Sequence, residues 1–413
     1  METLLYKKIR EFSFFLVTCI ARILPDLKPD NSELAFPAHS SPVTLPVNFD
    51  SLPDKFARRF FLKKKIEERR LLFFKNVYVN GDAVIFKNLR IYRPSLAWQP
   101  YIKWYTSGRF LVRQWLFKVN KVESDEPVAL VYNQWGYENY YHWVIESLPR
   151  LLLIQKSFPD CLLIIPDPAP EFVKTTITLL GFKRFVPLHI TDMTILKINN
   201  LVMPSLEFEQ AQEYITKRSK KNYSQNHSPE KNEEELIITV KKQILSHFKP
   251  QRPGKKIFVS RSRQKFRRLI NEKDLEPVLA KNGFEIVYFE GMPFNEQVKL
   301  MQETELLLST HGANLVNLLF LPPIAIVIEM VNIDFTNDVY YTLASDLKLP
   351  YYAIPCTMID TTLIPPKDVM ILNDTANFTD QMVALNIAHL QVDVSLVEET
   401  IERALMHYST KDA

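Results

Sequence analysis

Glycine is scarce in this chain, with eight in 413 residues. No GxGxxG turn can be assembled from them, which excludes a dinucleotide-binding dehydrogenase and marks each remaining glycine as a candidate for a special backbone position. Cysteine is scarcer still. Cys19, Cys161 and Cys356 are odd in number and far apart, giving neither a disulfide framework nor metal-ligand spacing and fitting a reducing compartment. The net charge of +4 is too small to imply nucleic acid by itself. The apolar run over 12–20 is bounded by Arg10 and Arg22, well short of the roughly 20 residues a bilayer-crossing helix needs, and no convincing cleavage site follows it. HExxH, paired CxxC, GxSxG and Walker motifs are missing, and no Asp-x-Asp ends a strand, so a required metal has no evident seat.

What is present is an ample core: 46% hydrophobic and 12% aromatic residues in a length that accommodates two domains and an extension. The first segment reads as a helix with Leu5, Ile9, Phe12, Leu16, Ile20 and Ile23 on one stripe and Lys7, Lys8 and Arg22 off it, as in an interfacial membrane helix or one packed on protein. A proline-rich arm follows over 25–53. Asn80-Gly81-Asp82, between strand-like runs over 71–92, predicts a hairpin, because Asn-Gly tolerates the positive φ of a tight turn. All five tryptophans (Trp98, Trp104, Trp115, Trp135 and Trp143) fall in one region and build a core or a sugar-stacking wall. From there strands and helices alternate. Helices are expected over 143–155, 171–180, 236–247, 274–281 and 295–303, with strands over 161–165, 185–188, 201–203, 256–260, 284–288, 306–308 and 325–330, indicating layered parallel sheets. The polar stretch after 217 is the boundary, and a helix over 394–408 closes the chain. The division is therefore 1–50, 51–216, a connection over 217–235, 236–392, and 393–413.

The most informative stretch is LLLSTHGANLVNLLFLPP, residues 306–323, where an apolar strand stops at His-Gly and restarts with helical spacing. A helix N-terminus there would accept an anion, phosphate above all, with Ser309, Thr310 and His311 adding donors. After the strand over 256–260 comes RSRQKFRRLINE, placing Arg261, Arg263, Lys265, Arg267 and Arg268 beyond the carboxyl edge of a parallel sheet, where ligands bind. Arginine's planar fork suits phosphate. Asn271 is a helix cap or a site residue; Glu290 and Gln297 flank the next elements. Glu329 ends a strand beside the same crevice and accepts either a ribose hydroxyl or a salt bridge. In the first half, Asn139-Tyr140-Tyr141-His142-Trp143 leads into VIESLPRLLL, setting His142 and Glu146 four residues apart on one helical face in apolar surroundings, as a cleft pair or a surface ion pair.

These separated motifs together resemble glycosyltransferase family 61: N-Y-x-H-W-x-x-E-x-L-P-R over 139–150, Ser260-Arg261, Arg268, Asn271-Glu272, Gly283-Phe284, Gln297, H-G-A-x-L-x-N-x-L-F over 311–320, and V-I-E over 327–329. The resemblance covers roughly 128–355 and departs at Asn314, where many members carry glycine; asparagine is the next best residue for a left-handed backbone. It implies an α/β fold of GT-B type, two Rossmann-like domains facing a cleft, preceded here by a β-rich portion and an amphipathic helix. It implies inverting, metal-independent transfer from a nucleotide-sugar donor to a glycan or lipid-linked glycan acceptor in capsule, exopolysaccharide or lipopolysaccharide synthesis, without a cofactor. Donor binding then falls to Arg261, Arg268, Asn271, Ser309, Thr310, His311, Gly312, Asn317 and Glu329; the base is Glu146 or His142; and Asn139, Tyr140 and Trp143 line the acceptor side. The basic first helix and few cysteines point to a cytoplasmic enzyme with peripheral contact through residues 4–24 on the inner membrane face. A non-catalytic nucleotide- or glycan-binding subunit is the alternative, and a nucleic-acid binder a distant third.

Overall fold

The computed structural model describes residues 4–96, 105–114, 118–137, 139–190, 194–205, 234–334, 337–359 and 387–409. Trp98, Trp104 and Trp115 lie outside them, as does the expected connection over 217–235 up to residue 233; its last two residues open the helix Glu234–Leu245. The chain divides into two compact units, one of 1–39 with 67–225 and one of 40–66 with 226–413.

In the first unit the described strands form a mixed sheet in the order Phe185–His189, Leu162–Asp167, Val128–Ala129, Thr194–Pro204, Arg69–Asn80, Ile85–Lys87, Arg90–Ile91. The pairs on the Phe185 side are parallel, and those from Thr194–Pro204 onward are antiparallel. The hairpin after Asn80 forms, but its turn differs from the expected Asn-Gly type. Asn80 Oδ1 accepts from the Val84 N–H at 2.9 Å, and the positive φ falls on Ala83. The backbone closes the turn as well, the Ala83 N–H donating to the Asn80 carbonyl at 2.8 Å, and the Asn80 side chain adds a second acceptor to it.

The second unit holds a sheet in the order Phe284–Val287, Lys255–Val259, Thr304–Thr310, Ile326–Asn332, Tyr351–Met358, Leu390–Gln391, parallel except for the last strand. Continuous apolar runs such as Leu306–Leu308 and Ile326–Ile328 are fully buried, as a parallel strand covered on both faces requires. Numbering its five parallel strands along the chain, the spatial order is 2-1-3-4-5. The order reverses between Lys255–Val259 and Thr304–Thr310, so a crevice opens beyond their carboxyl ends.

Residues 40–66, expected to divide between an arm and the first domain, belong to this second unit. Asn48 imitates a strand there, its Nδ2 donating to the Ala353 carbonyl at 2.8 Å and its Oδ1 accepting from the Ala353 N–H at 3.1 Å. Arg59 donates to the Asn332 and Ile333 carbonyls and lies over the Phe56 ring. Lys64 forms a fully buried ion pair with Asp346, at 2.6 Å to Oδ2. Polar side chains reaching across some 300 positions carry these contacts, and no hydrophobic period announces them.

Removing one partner of a buried ion pair strands the other charge. Lys64→Met is expected to lower stability by about 3–5 kcal/mol, while Lys64→Met with Asp346→Leu recovers most of the loss. Urea unfolding of the three proteins measures this, and a double variant as unstable as the single one would show that the pair itself supplies the stability.

Candidate active site

Two loops leave the switch point of the second sheet, one after Val259 and one after Thr310. The first carries Arg261, which is buried and donates from Nη2 to the Phe266 carbonyl at 3.3 Å. Its guanidinium lies on Gly312 of the second loop: a β-carbon at that glycine would sit 2.1 Å from Arg261 Nη1 and 2.6 Å from Cζ. Gly312 itself is extended, with φ 166. The chain therefore needs glycine here for close approach and not for an unusual backbone angle.

Arg267 is the second cation. It adopts a positive φ of 56, which turns the chain so that Arg267 faces inward and Arg268 outward. Arg268 is exposed and packs on His389, away from the glycine. The structure thus sets Arg267, not the expected Arg268, with Arg261 and His311. Burial pulls the Arg261 guanidinium down to about 10, with repulsion from Arg267 adding to the shift. Burial likewise lowers Arg267. Both remain cations at neutral pH. The Nε atoms of both are shut off from solvent without a hydrogen-bond partner, and among the described residues no carboxylate pairs with either. Thr310 Oγ1, also buried, has no partner either.

His311 stands behind them. Its Nδ1 lies 2.6 Å from Glu329 Oε1, its ring is 4.9 Å from that of Tyr340, and its N–H donates to the Met330 carbonyl. Burial lowers its pKa, the Glu329 carboxylate opposes this, and Arg267 and Arg261 push it down further. Glu329 also accepts from Tyr351 Oη at 2.6 Å, so both its oxygens are engaged within the protein and the expected ribose contact gives way to a buried network. Ser309 donates to the Val259 carbonyl at 2.9 Å, tying the two strands of the switch point together. Asn317 donates to Gln297 Oε1 and the Asn314 carbonyl, and Asn271 brackets Val392 through both ends of its amide. These four are scaffold, since their polar groups are used internally. The element after Gly312 is a 3₁₀ helix, Ala313–Phe320, and Asn314 lies inside it without the left-handed backbone expected of it.

In the first unit, His142–Ser147 is a π-helix that runs into the α-helix Leu148–Ser157. Pro149 has no N–H to give the carbonyl four residues back, so the turn before it widens. His142 Nδ1 lies 2.6 Å from Glu146 Oε1, and Arg150 Nη2 is 3.7 Å from Glu146 Oε2. Burial by itself would raise the Glu146 carboxyl; His142, Arg150 and Arg69 outweigh it and hold the pKa below the ordinary carboxylate value. Glu146 is buried, while His142 keeps 17% of its side chain exposed beside the Trp135 ring at 5.0 Å. Of the residues expected on the acceptor side, Asn139 is exposed and Tyr140 half-buried, its ring 5.2 Å from Phe172. Trp143 is a correction. It is fully buried, with its Nε1 donating to Thr176 Oγ1 at 2.8 Å, because the widened turn points it at the helix Glu171–Leu179.

Arg69 was not singled out by sequence, and Arg267 and Trp135 were named only as members of the basic run and of the tryptophan cluster. For Arg267 the only signal was membership of the basic run, where one positive φ decides which arginine turns inward.

The 2-1-3-4-5 sheet, with Arg261 and Arg267 beyond its switch point, defines an α/β protein. Residues 140–328 match the family model Glycosyltransferase 61, and over that segment the chain is similar to glycosyltransferase family 61. A curated relative, the EGF domain-specific O-linked N-acetylglucosamine transferase of Drosophila melanogaster, is 33% identical over 93 residues, 22% of this chain and 18% of that protein. The match thus spans less than a fifth of the relative's length. Among solved structures, the rubredoxin oxygen:oxidoreductase of Desulfovibrio gigas is 8% identical over 82% of this chain and 66% of its own, with a TM-score of 0.21, too low to bear on fold or function.

The atom that a β-carbon at Gly312 would strike is the far end of a flexible side chain, so Gly312→Ala is expected to fold with a melting temperature close to wild type. It should bind pyrophosphate at least about tenfold more weakly, because Arg261 must swing away, losing roughly one charge-assisted hydrogen bond. Calorimetry with inorganic pyrophosphate checks this, and unchanged affinity would detach Gly312 from the site.

Proposed function

We propose that this protein is an inverting, metal-independent glycosyltransferase that moves a sugar from a nucleotide-sugar donor to a glycan acceptor, lipid-linked or free, in the assembly of a capsular, exocellular or lipopolysaccharide glycan. The observation that carries the proposal is the Arg261 guanidinium lying on Gly312 at the switch point, with half-buried Arg267 as a second cation. Two cations with no carboxylate at ion-pair distance among the described residues match a diphosphate, whose charge grows as the sugar leaves.

In the transfer, an acceptor hydroxyl oxygen forms a bond to the anomeric carbon from the face opposite the nucleotide. The bond from that carbon to the diphosphate oxygen breaks, and its electron pair stays on the diphosphate. Arg261 and Arg267 stabilise that developing charge without reorganising. The hydroxyl proton goes to His142. With Nδ1–H donating to Glu146, the basic lone pair lies on Nε2, and the ionised Glu146 stabilises the imidazolium that forms. Glu146, clamped by Arg150 and buried, is the orienting residue, so His142 is the base of the two candidates. The relative's name makes N-acetylglucosamine the first sugar to test, and a cytoplasmic enzyme at the inner membrane face fits a lipid-linked acceptor.

Release of free nucleoside diphosphate from a panel of nucleotide sugars, with a glycan extract as acceptor, tests the reading. Arg261→Ala is expected to abolish release and the thermal stabilisation by nucleotide. Glu146→Gln is expected to lower kcat by about 10²–10⁴ while leaving that stabilisation unchanged. Full activity in folded Arg261→Ala would refute the diphosphate assignment; wild-type kcat in Glu146→Gln would remove the dyad. Among the described residues no group of three His, Cys, Asp or Glu side chains is placed to hold a metal ion. Turnover is expected to survive a chelator, and loss restored by a divalent cation would contradict the metal-independent reading.

A further inference from the structure

The first helix, Leu4–Ile23, is docked on its own unit by one face. Gly108, which opens the helix Gly108–Gln114, lies so close that a β-carbon there would fall 1.9 Å from the Phe14 carbonyl oxygen. Its N–H donates to Thr18 Oγ1 at 2.6 Å, and Arg109 pairs with Glu11 at 2.8 Å. Ala21 is buried in a cluster with Phe86, Tyr105 and Phe110, against which Val17 packs. These contacts fix the rotation of the helix about its axis.

With that face engaged, the opposite one projects Ile9, Phe12, Leu16, Ile20 and Ile23 at spacings of three and four, with Phe15 and Cys19 at its border. Ile9, Phe12 and Ile23 are 56%, 66% and 82% exposed. A run of large apolar side chains left in water marks an interaction surface. The exposed charges beside it, Lys8 and Arg22, are both positive. Glu11, the one acid among the described residues of this helix, is held by Arg109. A second copy of the same face would bring like charges together in either orientation. An anionic lipid surface accepts both the apolar stripe and its cationic flank. No described helix is long and apolar enough to cross a membrane, so the contact is one of lying in the interface.

We propose that residues 8–23 are a membrane-surface anchor, seating the apolar stripe among the acyl chains of an anionic bilayer with Lys8 and Arg22 on its headgroups. The inference does not depend on the reaction proposed above. The full chain is spun with vesicles of phosphatidylcholine alone and of phosphatidylcholine containing phosphatidylglycerol. Wild type is expected to sediment with the anionic vesicles and several-fold less with the neutral ones. Phe12→Ser with Ile23→Ser, both exposed and therefore tolerated by the fold, should cut binding at least about tenfold. Lys8→Glu with Arg22→Glu should remove the preference for anionic lipid. Wild type left in the supernatant with both vesicles, or binding that ignores the serine substitutions, overturns the proposal. So does a lipid-free dimer that the same serines make monomeric, which would give the stripe to a second copy.

Discussion

Two guanidinium groups, Arg261 buried and Arg267 half-buried, with no carboxylate at ion-pair distance among the described residues, are the constraint on which the second unit's arrangement turns. Removing such a charge from solvent is costly, and here burial lowers the pKa of both arginines without discharging them. The sheet meets the cost by bringing them to the one place where its strand order reverses, against a glycine that leaves room for Arg261. Behind them Ser309 binds the neighbouring strand and Glu329 is satisfied by His311 and Tyr351. The polar groups behind the two arginines are satisfied within the protein, while both arginine Nε atoms and Thr310 Oγ1 are not.

Among the described residues two histidine–glutamate pairs have the same 2.6 Å separation and different environments. His311 and Glu329 are both buried beside two arginines, and burial lowers His311, which suits a neutral brace. His142 retains solvent access while Glu146 lies beneath it, ionised under Arg150. The same pair of groups is sealed from solvent in one place and keeps solvent access in the other, so burial and neighbouring charge give the two histidines different environments.

Much of this was legible in the sequence. The strands ending at Val259 and Thr310, the basic loop and the His-Gly turn follow from apolar runs stopping at polar residues, which report burial directly. Helix and strand boundaries fell within a few residues for the same reason, although the strand Thr194–Pro204 is far longer than expected. The errors arose where side chains replaced backbone or where one dihedral chose between neighbours. Arg267 and Arg268 differ in role through a single positive φ. Trp143 reads as a cleft aromatic until the widened turn buries it. The passage of residues 40–66 into the second unit depends on Asn48, Arg59 and Lys64 finding distant polar partners, and composition carries no trace of that.

The central claim is that Arg261 and Arg267 jointly hold a diphosphate at the switch point. A double-mutant cycle, Arg261→Met and Arg267→Met singly and together, with inorganic pyrophosphate binding followed by calorimetry, tests it most directly. The account predicts that each substitution weakens binding and that their effects are non-additive, since both act on one anion. Pyrophosphate binding that survives the double substitution would place the anion elsewhere and contradict the account.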